Sequence, residues 1–209
     1  MAEIKAIETI YNGYRFRSRL EARWAVFFDN AFIAYEYEPE GFVLPNGECY
    51  LPDFYLPLFH MYVEIKPYSI SDDDYKTAKG KLEQLFFGDQ FKEHGKGITV
   101  AIFNGEPIEN YTWAFCKHKN GNGETGYGWH PIKFVRGVKG EYKGKKYMFR
   151  KPETIVCVYG TSEDCFYDTN ASDGNARMIN VHEIKSADTY FRNAKIRARQ
   201  ARFEYGERG

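Results

Sequence analysis

The chain is short of cysteine, has no long apolar run and carries no surplus of either charge. Its four cysteines, Cys49, Cys116, Cys157 and Cys165, include no C-x-x-C pair. Neither a disulfide framework nor a zinc-finger spacing therefore organises the fold, and free thiols are expected. A zinc site assembled from Cys116, His118, Cys157 and Cys165 is chemically conceivable, because thiolate and neutral imidazole suit that metal. Its spacing is not a zinc signature. No apolar stretch approaches the roughly 20 residues needed to span a bilayer, and Met1-Ala2-Glu3-Ile4-Lys5 carries no signal-peptide core. The expectation is a soluble cytoplasmic protein with no membrane partner. With 29 basic and 29 acidic residues the formal charge is zero, which argues against a protein that coats nucleic acid indiscriminately. Repeats and low-complexity linkers are also missing.

What is present is a foldable chain of 209 residues, 43% hydrophobic and 18% aromatic. That suffices for one substantial domain, or for a core with an extension. Its charges are segregated. Arg15, Arg17, Arg19 and Arg23 form one basic group. Lys133, Arg136, Lys139, Lys143, Lys145, Lys146, Arg150 and Lys151 form a second, and Arg192, Lys195, Arg197, Arg199 and Arg202 a third. Acids gather at Glu36, Glu38 and Glu40 and at Asp72, Asp73 and Asp74. Arg15, Arg17, Arg19, Arg23, Lys143, Lys145 and Lys146 are the candidates for contacting a phosphate backbone, against the competing reading of solvated charged surface. Tyr14, Trp24, Trp113 and Trp129 could stack on unpaired bases, although aromatic side chains more often fill cores.

Periodicity orders the elements. Leu20, Trp24, Phe27, Phe28, Ala31 and Phe32 recur at helical intervals over Ser18 to Phe32. Strands are expected at Tyr35 to Glu38 and Gly41 to Pro45, with Asn46-Gly47 as a turn. Asp72 to Phe87 reads as a helix turning Tyr75, Ala78, Leu82, Leu85 and Phe86 inward, and Gly97 to Phe103 as a strand buried on both faces. Beyond Asn104, Gly and aromatic residues alternate with short strand-like runs such as Trp113-Ala114-Phe115 and Thr154 to Tyr159. A last helix is expected from Ser186 to Tyr205, packed on the core or on a second subunit.

The chemistry concentrates between Leu51 and Lys66. Side chains alternate along a strand, so Tyr62, Glu64 and Lys66 share one face and Met61, Val63 and Ile65 the other. The apolar set belongs to a core, leaving a carboxylate and an ammonium together. Asp53 ends the run Cys49-Tyr50-Leu51-Pro52, and an antiparallel pairing of that piece with the second strand would bring Asp53 to Glu64. Magnesium takes oxygen ligands and keeps several waters, so Asp53, Glu64 and the Ile65 carbonyl would suffice to hold it. Lys66 would then orient a water and offset charge on a phosphate. The competing reading is an ordinary Glu and Lys on a half-exposed strand.

Pro52-Asp53 followed by Glu64-Ile65-Lys66 resembles the signature of the PD-(D/E)xK nuclease superfamily. The resemblance covers roughly residues 11 to 105 and includes the segment Tyr14 to Ala25, which is similar to the helix start of Holliday-junction-resolvase-like and small phage or bacterial nuclease proteins. It implies an α/β protein with a restriction-endonuclease-like core of helix, mixed sheet and crossover helix over residues 1–105. A β-rich C-terminal appendage would follow over 106–186 and a basic terminal helix over 187–209. It further implies Mg²⁺ or Mn²⁺ as cofactor and catalytic roles for Glu21, Asp53, Glu64 and Lys66, with Glu21 reaching the metal directly or through water. DNA would be the substrate and a bacterial cell or phage-infected host the setting.

Glu21 has a second reading, because Ser18-Arg19-Leu20-Glu21 fits the S-x-x-E capping box of a helix start. Three functions stay open at this level: a metal-dependent endonuclease, a non-catalytic nucleic-acid-binding module on the same fold, and a phage protein that meets a protein partner such as a host defence complex. RNA in place of DNA, and a homodimer for symmetric cutting, are likewise left open.

Overall fold

The structure is a computed structural model that describes residues 7–91, 98–107, 112–119, 125–142, 145–162, 165–168, 178–179 and 181–203. Within 116–125 and 135–190 it describes backbone only. The protein is mixed α/β, with three α-helices among the described residues and a large mixed sheet.

A hairpin opens the described chain, β1 (Thr9–Tyr11) paired with β2 (Tyr14–Phe16). Helix α1 (Arg19–Asn30) follows, capped by Ser18, whose hydroxyl accepts from the Glu21 amide. The helix is shorter than its apolar pattern suggests. Phe32, expected on the inner face, lies beyond the end at positive φ and is 79% exposed. Next come β3 (Glu36–Tyr37), the hairpin of β4 (Phe42–Val43) and β5 (Cys49–Tyr50), then β6 (Phe54–Leu56) and β7 (Met61–Lys66).

The pairing corrects one expectation about the motif. Cys49 and Tyr50 pair with Val43 and Phe42, and the strand antiparallel to β7 is β6, with Phe54 opposite Val63. Asp53 thus precedes a strand instead of ending one. The outcome for the site is the same, since continuing this register sets Asp53 beside Glu64.

Helix α2 (Asp72–Phe86) carries the chain from β7 to β8 (Thr99–Asn104), and these two strands run parallel, Lys66 beside Asn104. Parallel neighbours require such a crossover. The sheet does not stop there. β9 (Thr112–Lys119) pairs with β8, and β10 (Thr125–Tyr142) pairs with β9, so the chain after residue 105 extends the same sheet. β10 also pairs with β11 (Lys145–Ser162), which with β12 (Cys165–Asp168) and β13 (Met178–Ile179) returns to β10. Helix α3 (Val181–Gln200) closes the order, beginning and ending five residues earlier than its pattern suggested.

Two apolar layers cover the sheet. On one face Met61, Val63, Ile65, Ala101 and Phe103 pack with α1 and with Phe191, Ala194 and Ala198 of α3. On the other, Tyr62, Val100 and Ile102 pack with Ala78, Leu82 and Leu85 of α2. The face of β7 that bears Tyr62 and Glu64 is therefore buried as well, because α2 lies over it. Burial on both sides explains why Val100 to Phe103 are fully enclosed. No helix among the described residues is long and apolar enough to cross a membrane.

Candidate active site

Among the described residues, Glu21, Asp53 and Glu64 are the only buried charged side chains, at 7%, 8% and 8% exposure. They meet where β6 begins and β7 ends, beneath the first turn of α1. Ionised carboxylates are costly to bury, so each needs strong partners.

Glu64 has two. Its Oε2 accepts from the Tyr50 hydroxyl at 2.7 Å, and its Oε1 accepts from Lys66 Nζ at 2.5 Å. Asp53 Oδ2 accepts from the Ile65 amide at 2.7 Å. Because N–H and C=O of one strand residue leave on the same edge, the Ile65 carbonyl also points past the start of β6, where β7 has no ladder partner. Glu21 is held by the Ser18 hydroxyl at 2.6 Å, the Tyr37 hydroxyl at 2.6 Å and the Arg17 amide at 3.1 Å. It closes a capping box shifted by one residue, since its carboxylate reaches the amide before the cap.

These contacts leave an electrostatic imbalance. Burial pushes the Asp53 carboxyl well above the usual carboxylate range, and the charges of Glu64 and Glu21 push it further. The Ile65 amide and Lys66 pull it down without cancelling the rise. Lys66 is opposed by its own burial, yet Glu64, Asp53 and Glu21 together raise its pKa above the ordinary lysine value. It is an ammonium at neutral pH. Burial, then Glu64, likewise raises the Tyr50 hydroxyl, which stays a donor. Three acids thus share one cation.

Tyr37 and Tyr50, which orient Glu21 and Glu64, were not legible as site residues. Tyr37 sits on β3 opposite Phe54 and Tyr50 on β5 opposite Phe42, so both reach the site through pairings that local spacing does not encode. Asn104 was also missed. It neighbours Lys66 in the parallel register and so shares its face, and its Oδ1 is buried without a hydrogen-bond partner.

A hard divalent cation fits this donor set. Asp53 and Glu64 supply two carboxylates, the Ile65 carbonyl a third oxygen, and the unpartnered Asn104 oxygen a nearby acceptor for a bound water. Among the described residues, no three His, Cys, Asp or Glu side chains are grouped tightly enough to hold a metal by themselves. Glu21, whose oxygens are taken by three donors, acts on the site through charge. The zinc alternative finds no description: the side chains of Cys116, His118, Cys157 and Cys165 lie outside the described residues.

The basic groups divide. Arg15 pairs with Glu8 at the surface, Arg17 Nε lies 2.6 Å from Glu38, and Arg23 is clasped to Glu106. Arg19 and Arg23 line a cleft with the end of α3. Lys143 lies outside the described residues, as do the side chains of Lys145 and Lys146 on β11. Trp24 is core, 3% exposed, with its indole N–H on the Gly105 carbonyl. Trp113 and Trp129 flank the Lys79 ammonium.

Comparison of the chain with protein-family models, with curated proteins and with solved structures finds no match.

Proposed function

We propose that the protein is a metal-dependent endonuclease of the PD-(D/E)xK type that hydrolyses phosphodiester bonds of DNA. The observation that carries this reading is the buried set of Glu21, Asp53 and Glu64 around a single ammonium, Lys66, at the mouth of two paired strands. Stability alone does not call for such a set, because apolar residues of similar size would be as good or better there. A site that must receive a cation does.

Asp53, Glu64 and the Ile65 carbonyl would hold Mg²⁺ or Mn²⁺. When bound, such an ion lowers the pKa of a coordinated water and offsets charge on a phosphate oxygen. Lys66 stays protonated, so its contribution is electrostatic: it holds the attacking water by hydrogen bond and faces the charge that grows on the phosphoryl oxygens. Tyr50 and Tyr37 fix the rotamers of Glu64 and Glu21. Glu21 deepens the negative potential that draws the cation to Asp53. In the hydrolysis the attacking water gives one proton to solvent as its oxygen bonds phosphorus, the bridging P–O bond breaks, and the departing oxygen takes a proton from solvent.

The test uses purified protein with plasmid, linear duplex, single-stranded and branched DNA, and RNA, each with and without Mg²⁺ or Mn²⁺. Cleavage is expected only with metal, and Asp53→Ala or Lys66→Ala should lower it by about 10²-fold or more while the circular dichroism spectrum is unchanged. Metal-independent cutting, or cutting that survives both substitutions, would reject the assignment.

A further inference from the structure

Helix α1 delivers more than Glu21. Residues four apart share a helix face while residues two apart do not, so Arg19 and Arg23 look away from the carboxylates. They line a cleft of about 830 Å³ whose far wall is the end of α3 and the residues after it, with Arg199, Gln200, Arg202 and Phe203. Three guanidinium groups from two helices, and that of Arg202 just after α3, therefore line one opening. Arg199 and Arg202 are exposed, and no carboxylate among the described residues pairs with either. Arg23 spends its Nη1 on Glu106, and its Nε is buried with no partner.

Helix dipoles favour only part of this arrangement. A cation in the last turn of α3 opposes the negative helix end, which covers Arg199. Arg19 and Arg23 stand at the start of α1, the positive end, where a cation is disfavoured. Bringing all four together adds mutual repulsion, and an anion in the cleft would remove it. Small-molecule pockets of this volume are mostly apolar, and this one is not. Planar guanidinium forks match phosphate oxygens in pairs.

The cleft also lies at the right end of the sheet. Gly105 donates its N–H to the Lys66 carbonyl at 2.8 Å, and the next residue, Glu106, is the one Arg23 holds. A backbone bound there runs alongside the end of β7. We propose that the cleft between α1 and α3 binds the sugar-phosphate backbone of a nucleic acid, next to the strand cut at Lys66. The proposal rests on the nucleic-acid part of the reading above and is independent of catalysis.

The test measures binding of the full-length protein to a fluorescent 20-base-pair duplex in EDTA, by anisotropy, across about 50 to 200 mM KCl. The double variant Arg199→Ala/Arg202→Ala should bind about tenfold more weakly and flatten the plot of log affinity against log salt by about two. Arg199→Lys/Arg202→Lys should keep most of the slope and lose part of the affinity. The control Arg192→Ala/Arg197→Ala removes exposed charges of α3 that do not line the cleft, and should stay within twofold of wild type. Equal losses for the two alanine pairs would reduce the effect to net charge and overturn the proposal. So would unchanged duplex binding accompanied by loss of binding to phosphatidylserine vesicles, which would assign the cleft to a lipid surface. The two readings fail separately: binding in EDTA decides the cleft, and cleavage in Mg²⁺ decides the enzyme.

Discussion

At the scale of single residues, Asp53 carries the most consequence. Its pKa is raised in the fold by burial, then by Glu64 and Glu21, so the protonated form is favoured by folding. The stability this gives is present in full below the ordinary carboxylate range and is lost as pH rises through the raised value. A divalent cation reverses the sign, because it binds the ionised carboxylate. Melting temperatures in EDTA and in Mg²⁺ should therefore diverge as pH rises above the ordinary carboxylate range, with the stabilisation by metal growing as pH rises. A gap that is constant with pH would detach Asp53 from the ion. Asp53→Asn keeps an oxygen for the Ile65 amide and removes the charge. It should stabilise the metal-free protein by about 1 kcal/mol, roughly 2–4 °C in melting temperature, and abolish the response to Mg²⁺. Asp53, Glu64 and Lys66 were legible because strand parity and one short connection bring them together. Tyr37, Tyr50 and Asn104 were not, since each arrives from another strand whose pairing no local pattern fixes.

At the scale of elements, the entry to α1 ties a local signal to the site. Ser18 caps the helix and also donates to Glu21, while Tyr37 and the Arg17 amide complete the hold on that carboxylate. The S-x-x-E pattern and the catalytic reading of Glu21 are thus compatible: capping is what fixes the side chain beneath the helix. Ser18→Ala should cost about 1 kcal/mol through the lost cap and leave Glu21 loosely held, lowering cleavage more than Ser18→Thr, which retains the hydroxyl. Equal cleavage by both variants, measured where both are fully folded, would make the contact purely structural. The periods of α1 and α2 were readable because each helix buries a recurrent face. The strand at Gly41 to Pro45 and the Asn46-Gly47 turn were readable, but Cys49-Tyr50 was paired with the wrong strand because two strand residues are too few to show which partner they take. Phe32 misled for a related reason: it keeps the helical interval past the point where the backbone has already turned.

At the scale of the whole molecule, the restriction-endonuclease-like arrangement was drawn as ending near residue 105, yet both edges of that segment depend on later chain. Its last strand, β8, is covered by β9, with Val100 opposite Phe115. Its first helix is covered by α3, where Phe191 is 1% exposed and its ring centroid lies 6.2 Å from that of Phe27. Sequence pattern could show that α3 has an apolar face mixed with arginines, but not that the face belongs to α1, some 160 residues earlier. A fragment of residues 1–105 would thus expose an unpaired edge strand and the outward side of α1, the two features that most promote association between chains. It should be insoluble or aggregate on refolding, and the full chain should not. In the full chain, Phe191→Ala should cost about 3–5 kcal/mol, as loss of a fully buried aromatic does, and a denaturant titration would report it as a lowered midpoint at constant slope. Because α3 carries Arg199 of the cleft and leads directly into Arg202, the same substitution should weaken duplex binding at temperatures where the protein is still folded but α3 has loosened. Arg199→Ala/Arg202→Ala should weaken it without moving the midpoint. A soluble, cooperatively melting 1–105 fragment would show instead that the segment stands alone and that α3 is only an addition to it.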